Sequence, residues 1–311
     1  VDEVEKRIFS ISQQSKNKGF SHIKDVLMEA TQRLEEQQND PEALKGIGSG
    51  FSGLNDILGG FHKGDLVIIA ARPSVGKTSF MLELARYMSI NLKKKIAIFS
   101  LEMGKEQLAD RMLSLQSGLN LMDVRMGTLD GNKYQQYTEA MGELYDADIL
   151  IDDIPGQHIM EIRSKCRKLD LEIGVDAVFI DYLQLLHGTS RSKDSSRALE
   201  VTEISQGLKN LARELRVPVV ALSQLNRSVE SRNDRRPQLS DLRESGSIEQ
   251  DADVVMFLHR EAMYNRDLEE SEKDKAEVII AKHRNGAVGI AQMRFIAEQA
   301  KYVDVEQGAQ H

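Results

Sequence analysis

The chain has 311 residues, 41% of them hydrophobic and 29% charged, with a formal net charge of −8. That length supplies one large core or two modest ones. No apolar run approaches the ~20 residues of a membrane-crossing helix, and the acidic balance excludes a broadly basic nucleic-acid-binding surface, so any nucleic-acid site has to be a local loop or pore lining.

The first residues, Val1-Asp2-Glu3-Val4-Glu5, lack the basic start and apolar centre of a signal peptide. Val1 in place of Met points to a fragment or a processed product. Val1, Val4, Ile8 and Ile11 share one helical face. A helix this short is marginal alone in water, so its stripe is expected to dock on a body or on another chain. Lys16-Asn17-Lys18-Gly19 breaks it. A second helix follows, with Ser21 as N-cap and Ile23, Val26, Leu27, Ala30 and Leu34 as its stripe, and Asn39-Asp40-Pro41 stops it. The expected organisation is a helical linker region over residues 1–45 and one main domain over 46–311. Lys45–Gly60 carries six glycines and reads as an irregular lead into that domain.

From residue 64 apolar strands alternate with amphipathic helices. The predicted strands are Leu66–Ala70, Lys95–Phe99, Ile149–Ile151, Ala177–Ile180, Val217–Leu222 and Val254–Leu258. Ile204, Leu208, Leu211 and Leu215 mark one helix between them, ended by Val217-Pro218. This alternation predicts an α/β fold, a mostly parallel twisted sheet with helices on both faces. Val278–Lys282 and Val288–Phe295 then flank Asn285-Gly286, which predicts a C-terminal antiparallel hairpin. Cys166 lies in the pattern Ile159, Ile162, Cys166, Leu169, so it reads as a core residue on a helix rather than a nucleophile. As the sole cysteine it suits a reducing cytosol. Ser190–Arg197 reads as a mobile loop.

The sharpest motif is Ala71-Arg72-Pro73-Ser74-Val75-Gly76-Lys77-Thr78, directly after the run Leu66–Ala70 and before a helix that opens on Ser79. It reads as a phosphate-binding loop for a nucleoside triphosphate, ATP with Mg2+. Gly76 lets the backbone approach the phosphates, and the helix N-terminus supplies a positive end. Lys77 can reach the β- and γ-phosphates, and the Thr78 hydroxyl can ligate Mg2+. Ala71 stands where the pattern has Gly, at a position expected not to need positive φ.

Ligands of open α/β sheets sit at the carboxyl ends of the strands. Polar residues follow three of those ends: Glu102, Asp181 and Gln224. Asp181 fits a Mg2+-holding carboxylate. Glu102 can deprotonate the attacking water, or simply be a helix N-terminal acid. Gln224 can sense the γ-phosphate, or be an ordinary strand-end residue. Lys282 and Arg284 alternate with His283, so both project from one face beside the hairpin turn. They read either as an edge protected by charge or as a finger that enters a neighbouring subunit's nucleotide site. From Arg227 to Arg243 there are five arginines, at 227, 232, 235, 236 and 243. Charge alone fits a solvated loop. The segment Asp241–Asp253 can grip a phosphate backbone through Arg243 and exposed backbone amides, but its own chemistry slightly favours a helix cap.

In order, Ala71–Thr78, Ser100-Leu101-Glu102-Met103, Phe179-Ile180-Asp181-Tyr182-Leu183-Gln184, Ala221–Arg227, Asp241–Asp253 and Lys282-His283-Arg284-Asn285-Gly286 resemble the ATPase domain of the DnaB-type replicative DNA helicases. Residues Val1–Gln14 are similar to the linker helix that precedes that domain. The family's primase-contacting N-terminal domain has no counterpart in this chain. The resemblance implies a RecA-like P-loop NTPase and a homo-hexameric ring with nucleotide at subunit boundaries. Single-stranded DNA passes through the centre, 5′→3′, driven by ATP hydrolysis at the replication fork. It implies catalytic roles for Glu102 and Lys77, γ-phosphate sensing by Gln224, and trans-acting fingers at Lys282 and Arg284. It moves Arg243, Glu244 and Gly246 to a DNA-facing loop. It also implies a primase, a helicase loader and a primosome as partners, no membrane, and a bacterial or phage protein acting in the bacterial cytosol. A RecA-like ATPase that does not unwind DNA and a nucleotide-dependent scaffold are the readings that compete with it.

Overall fold

The alternation of apolar strands and amphipathic helices folds as a single nine-stranded sheet within the unit Gly46–His311. The computed structural model describes residues 22–28, 31, 45–188, 197–232, 234–242, 246–265 and 267–305. A second unit, Val1–Lys45, is described only in part. There residues 23–28 are helical, and the Thr31 hydroxyl donates to the Leu27 carbonyl at 3.0 Å. The expected helix over Val1–Ile11 and the Ser21 cap lie outside the described residues, as does the loop 189–196.

The main unit begins with α1 (Ser52–Leu58), β1 (Leu66–Ala71), α2 (Lys77–Ile90) and β2 (Ile96–Ser100). Then come α3 (Lys105–Ser117), α4 (Leu121–Met126), α5 (Gly131–Tyr145), β3 (Ile149–Asp152), α6 (Ile159–Glu172) and β4 (Ala177–Asp181). The remainder is α7 (Arg197–Leu215), β5 (Val219–Gln224), α8 (Gly246–Asp251), β6 (Val254–His259), β7 (Lys275–His283), β8 (Gly289–Ile296) and β9 (Lys301–Asp304). The sheet order is β3-β2-β4-β5-β1-β6-β7-β8-β9. Strands β3 to β6 in that order are parallel, and β7, β8 and β9 are antiparallel.

Strand side chains alternate faces, and the core divides accordingly. Val67, Ile69 and Ala71 of β1 pack with α1, α2 and α3 through Leu54, Phe80, Leu84, Leu108 and Met112. Leu66, Ile68 and Ala70 face the other way, against Ile162 and Cys166 of α6 and Ile204, Leu208 and Leu211 of α7. Every residue of β1 is buried. A strand covered on both faces has to be apolar throughout, which is why it reads as a continuous hydrophobic run. Cys166 is fully buried, and desolvation pushes its thiol up to about 12, so it stays protonated and inert.

Three sequence expectations are corrected. The glycine-rich lead-in contains helix α1, held because Phe51, Leu54 and Leu58 are buried in the core. Burial of an amphipathic face outweighs the low helix propensity of Gly53. The hairpin is present, but its strands stop at His283 and Gly289, leaving a longer turn than Asn285-Gly286 alone. Strand β9 has no counterpart in the sequence reading. Only Tyr302 of its residues is fully buried, too little pattern to mark a strand. No helix among the described residues is long and apolar enough to cross a membrane.

Candidate nucleotide site

The loop between β1 and α2 lies at the carboxyl end of the parallel strands, where the sheet leaves backbone groups and helix termini open to a ligand. Ala71 ends β1 and needs no positive φ; the left-handed positions are Ser74, at φ 66°, and Gly76, at φ 111°. A Cβ on Gly76 would meet the Phe295 and Tyr302 rings at 3.0 and 3.1 Å, so position 76 demands glycine for space as well as for φ.

Pro73, Ser74, Gly76, Lys77, Thr78 and Ser79 line a cavity of about 480 Å³, joined by Arg72, Glu102, Met103, Arg111, Gln224, Phe295 and Ala300. Ala71 and Val75 belong to the core instead. The Arg72 guanidinium is committed elsewhere. It forks onto Glu230 at 2.8 and 2.6 Å and donates to the Leu225 carbonyl at 2.8 Å, tying the loop to the segment after β5.

Three strand ends converge on this cavity. Asp181 lies opposite Ser100 in the β2–β4 register, and Gln224 lies opposite Ala71 in the β1–β5 register. Thr78 donates its hydroxyl to Asp181 Oδ2 at 2.6 Å. Asp181 is fully buried, and its Oδ1 has no partner. Desolvation raises its pKa, opposed by the Thr78 hydrogen bond and by Lys77. A buried carboxylate oxygen without a donor is costly unless a cation or water meets it. Beside a hydroxyl at a phosphate loop, that donor set suits Mg2+, which takes one or two protein oxygens and completes its shell with phosphates and water.

Lys77 sits with Nζ 4.5 Å from the Tyr182 ring centroid. Burial lowers its pKa, while Asp181 and Glu102 oppose the shift. Glu102 is exposed on a turn fixed by two hydrogen bonds, Ser100 Oγ to the Met103 carbonyl at 2.6 Å and Leu101 N–H to the Asp181 carbonyl at 2.7 Å. Gln184 brackets the end of β5. Its Nε2 donates to Ser223 Oγ at 2.9 Å, and its Oε1 accepts the Gln224 N–H at 3.3 Å.

Arg111 was not singled out in the sequence. It stands on α3, donates to Ser79 Oγ at 3.3 Å, and keeps a buried Nε without a partner. Burial lowers its pKa. The available signal was positional, since α3 follows β2 and its first turns pass the carboxyl edge of the sheet.

Lys282 and Arg284 do lie together, at the opposite end of the parallel strands. His283 pairs with Val254 at the start of β6, whereas the phosphate loop follows the end of β1 beside it. Six strand residues separate the two ends by about 20 Å. Lys282 donates to the carbonyls of Glu249 and, at 2.8 Å, Ala252; Arg284 donates to the Gln250 carbonyl at 3.0 Å and meets Asp253 at 3.1 Å. Both cations thus cap the C-terminal end of α8. Gly246 is the exposed first residue of that helix, while Arg243 and Glu244 lie outside the described residues.

The arginine-rich stretch is largely internal bracing. Arg232 pairs with Asp241 at 2.6 Å, Arg236 with Glu277 at 2.8 Å, and Arg235 covers the Tyr264 ring. Arg227 is exposed.

Residues 46–304 match the family described as the DnaB-like helicase C terminal domain. The chain belongs to this family. It is a replicative DNA helicase ATPase motor of the DnaB type. It is 48% identical over 306 residues to the replicative DNA helicase DnaC of Bacillus subtilis (strain 168), covering 98% of this chain and 67% of that protein. The replicative DNA helicase DnaB of Geobacillus stearothermophilus matches at the same identity and coverage. Among solved structures, a helicase-like ATPase domain determined on its own superposes with a TM-score of 0.85 at 38% identity, covering 93% of this chain and 100% of that one. A DnaB-like replicative helicase, described with its interactions with primase, gives 0.82 at 37% identity, covering 96% and 71%. The family fold explains the converging strand ends: DnaB-like ATPase domains bind ATP, and the cavity at β1, β2, β4 and β5 is where this chain offers the groups for it.

Proposed function

We propose that the chain works as one subunit of a homo-hexameric ring that moves 5′→3′ on single-stranded DNA, hydrolysing ATP at the seams between copies. The observation that carries this reading is the distance between the phosphate loop and the Lys282–Arg284 pair. Cations at the far end of the strands cannot reach their own loop, but a neighbouring copy brings them to it.

In this reading the Gly76, Lys77 and Thr78 backbone amides cradle the phosphates, and Lys77 and Arg111 neutralise them. Thr78 and Asp181 hold Mg2+, which supplies charge neutralisation of the phosphates. Glu102 takes the proton of the attacking water, and Gln224 senses the γ-phosphate. Arg243, Glu244 and Gly246 form the DNA-facing loop at the start of α8. Residues 1–45 act as the linker region and 46–311 as the motor domain, in a cytosolic protein. Primase and a loader are the expected partners, in line with the primase contact named for the related solved helicase.

Mass measurement of the protein with and without ATP and single-stranded DNA, with turnover read on the same sample, tests the ring. The expected result is a six-fold assembly whose turnover rises with DNA and with protein concentration. A monomer with full turnover, indifferent to both, overturns it.

Asp181→Asn separates metal holding from folding. The buried carboxyl has a raised pKa in the folded state, so it favours folding at low pH, and that contribution is lost as pH rises through the raised value. The amide removes this cost. Unfolding of the ligand-free protein at neutral pH is expected on the order of 2–4 °C higher, the equivalent of about 1 kcal/mol. The Mg2+ concentration needed for half-maximal turnover should rise ~10–100-fold. Unchanged Mg2+ dependence removes Asp181 from the metal.

A further inference from the structure

The most heavily packed polar group near the nucleotide cavity belongs to none of the motifs. Tyr302 of β9 is fully buried, yet its hydroxyl donates to the Val75 carbonyl at 2.9 Å, across 227 residues of sequence. Arg260, itself 8% exposed, donates to the same oxygen at 3.4 Å. Its guanidinium lies over the Phe295 ring at 3.7 Å. The Tyr302 ring is clamped edge-on by Phe80 at 5.2 Å and by Phe295 at 4.9 Å. Such packing leaves the hydroxyl one position. Burial raises its pKa, so it remains a donor throughout the working range.

A trans peptide points its C=O and the following N–H in opposite directions. Fixing the Val75 oxygen on the core side therefore fixes the Gly76 N–H on the other side, where Gly76 lines the nucleotide cavity. At φ 111° Gly76 has no side chain to set its own orientation. We propose that Tyr302 is a positioning residue for nucleotide binding: its hydroxyl, seconded by Arg260, holds the Val75 carbonyl back and so aims the Gly76 N–H at the phosphates. The antiparallel annex β7–β9 thereby serves the phosphate loop from behind as well as extending the sheet. This rests on the reading of residues 71–78 as the phosphate site, which Lys77→Ala tests separately.

The experiment is equilibrium binding of ADP and of inorganic tripolyphosphate to the full chain and to its Tyr302→Phe variant. Phenylalanine keeps the ring packing and removes only the hydroxyl. Affinity for both probes should fall by the same factor, about three- to tenfold for one lost hydrogen bond. The KM for ATP should rise by that factor with kcat retained, and unfolding without ligand should be nearly unchanged. A purely structural role would shift unfolding and spare the KM-to-kcat contrast. Unchanged affinity overturns the proposal, as does a loss confined to ADP, which would put Tyr302 at the nucleoside end. Should Tyr302→Phe unfold, Arg260→Lys provides the second variant, and it too should weaken both probes equally; unchanged binding there overturns the proposal. If Lys77→Ala binds tripolyphosphate normally, the phosphate site itself is misassigned and the proposal falls with it. If Lys77→Ala loses binding and Tyr302→Phe does not, only the latch is wrong.

Discussion

Arg284→Ala is expected to reduce ATP turnover by at least ~10³-fold while ATP binding stays within about threefold of the parent, the scale at which arginine fingers act on phosphoryl transfer. Arg284 in its own chain touches Asp253 and the Gln250 carbonyl, far from the phosphate loop. Its loss leaves Asp253 accepting from Lys209 and from the Leu66 N–H at 2.8 Å, so the fold retains its bracing there. The decisive form of the test mixes subunits. A seam that joins the loop of an Arg284→Ala copy to the fingers of a Lys77→Ala copy holds one complete site. Turnover should therefore reappear in mixtures of two inactive proteins, measured as rate against mixing ratio. If no ratio restores activity, action between copies is wrong.

Glu102→Gln is expected to reduce hydrolysis by ~10²–10⁴-fold, the usual contribution of a positioned base. Glutamine keeps the volume and the hydrogen-bonding capacity but cannot take a proton from water. Glu102 is exposed at the cavity edge on a turn pinned by Ser100 and Asp181, so the substitution disturbs no core contact. Binding of ATP should persist, and the protein should be trapped in its nucleotide-bound form. Equilibrium binding and steady-state turnover on one preparation check both halves. Turnover above about a tenth of the parent would place the base elsewhere. It would also favour a scaffold, whose weak background hydrolysis needs no base.

Much of this architecture was legible in the sequence for a simple physical reason. Strands covered on both faces must be apolar throughout, and α/β sheets put ligands at strand ends, so Glu102, Asp181 and Gln224 could be found by reading the residue past each run. What escaped depends on contacts distant in the chain. Helix α1 hides in a glycine-rich stretch because its stability comes from the burial of Leu54 and Leu58, not from propensity. Arg111 looks like any polar residue of an amphipathic helix until α3 is laid beside α2. The arginines at 232 and 236 read as a basic patch in sequence, but Asp241 and Glu277 neutralise them in space. Strand β9 is four residues long, and Tyr302 gains its meaning only when it reaches back to Val75.

The two borders of the sheet, β3 and β9, are each only four residues long. Short borders expose few unpaired amide and carbonyl groups, so strand addition between molecules finds little purchase. Copies that meet must do so through side chains rather than by extending a shared ladder. A contact of that kind can loosen and re-form with each nucleotide, leaving the backbone hydrogen bonds of both partners untouched.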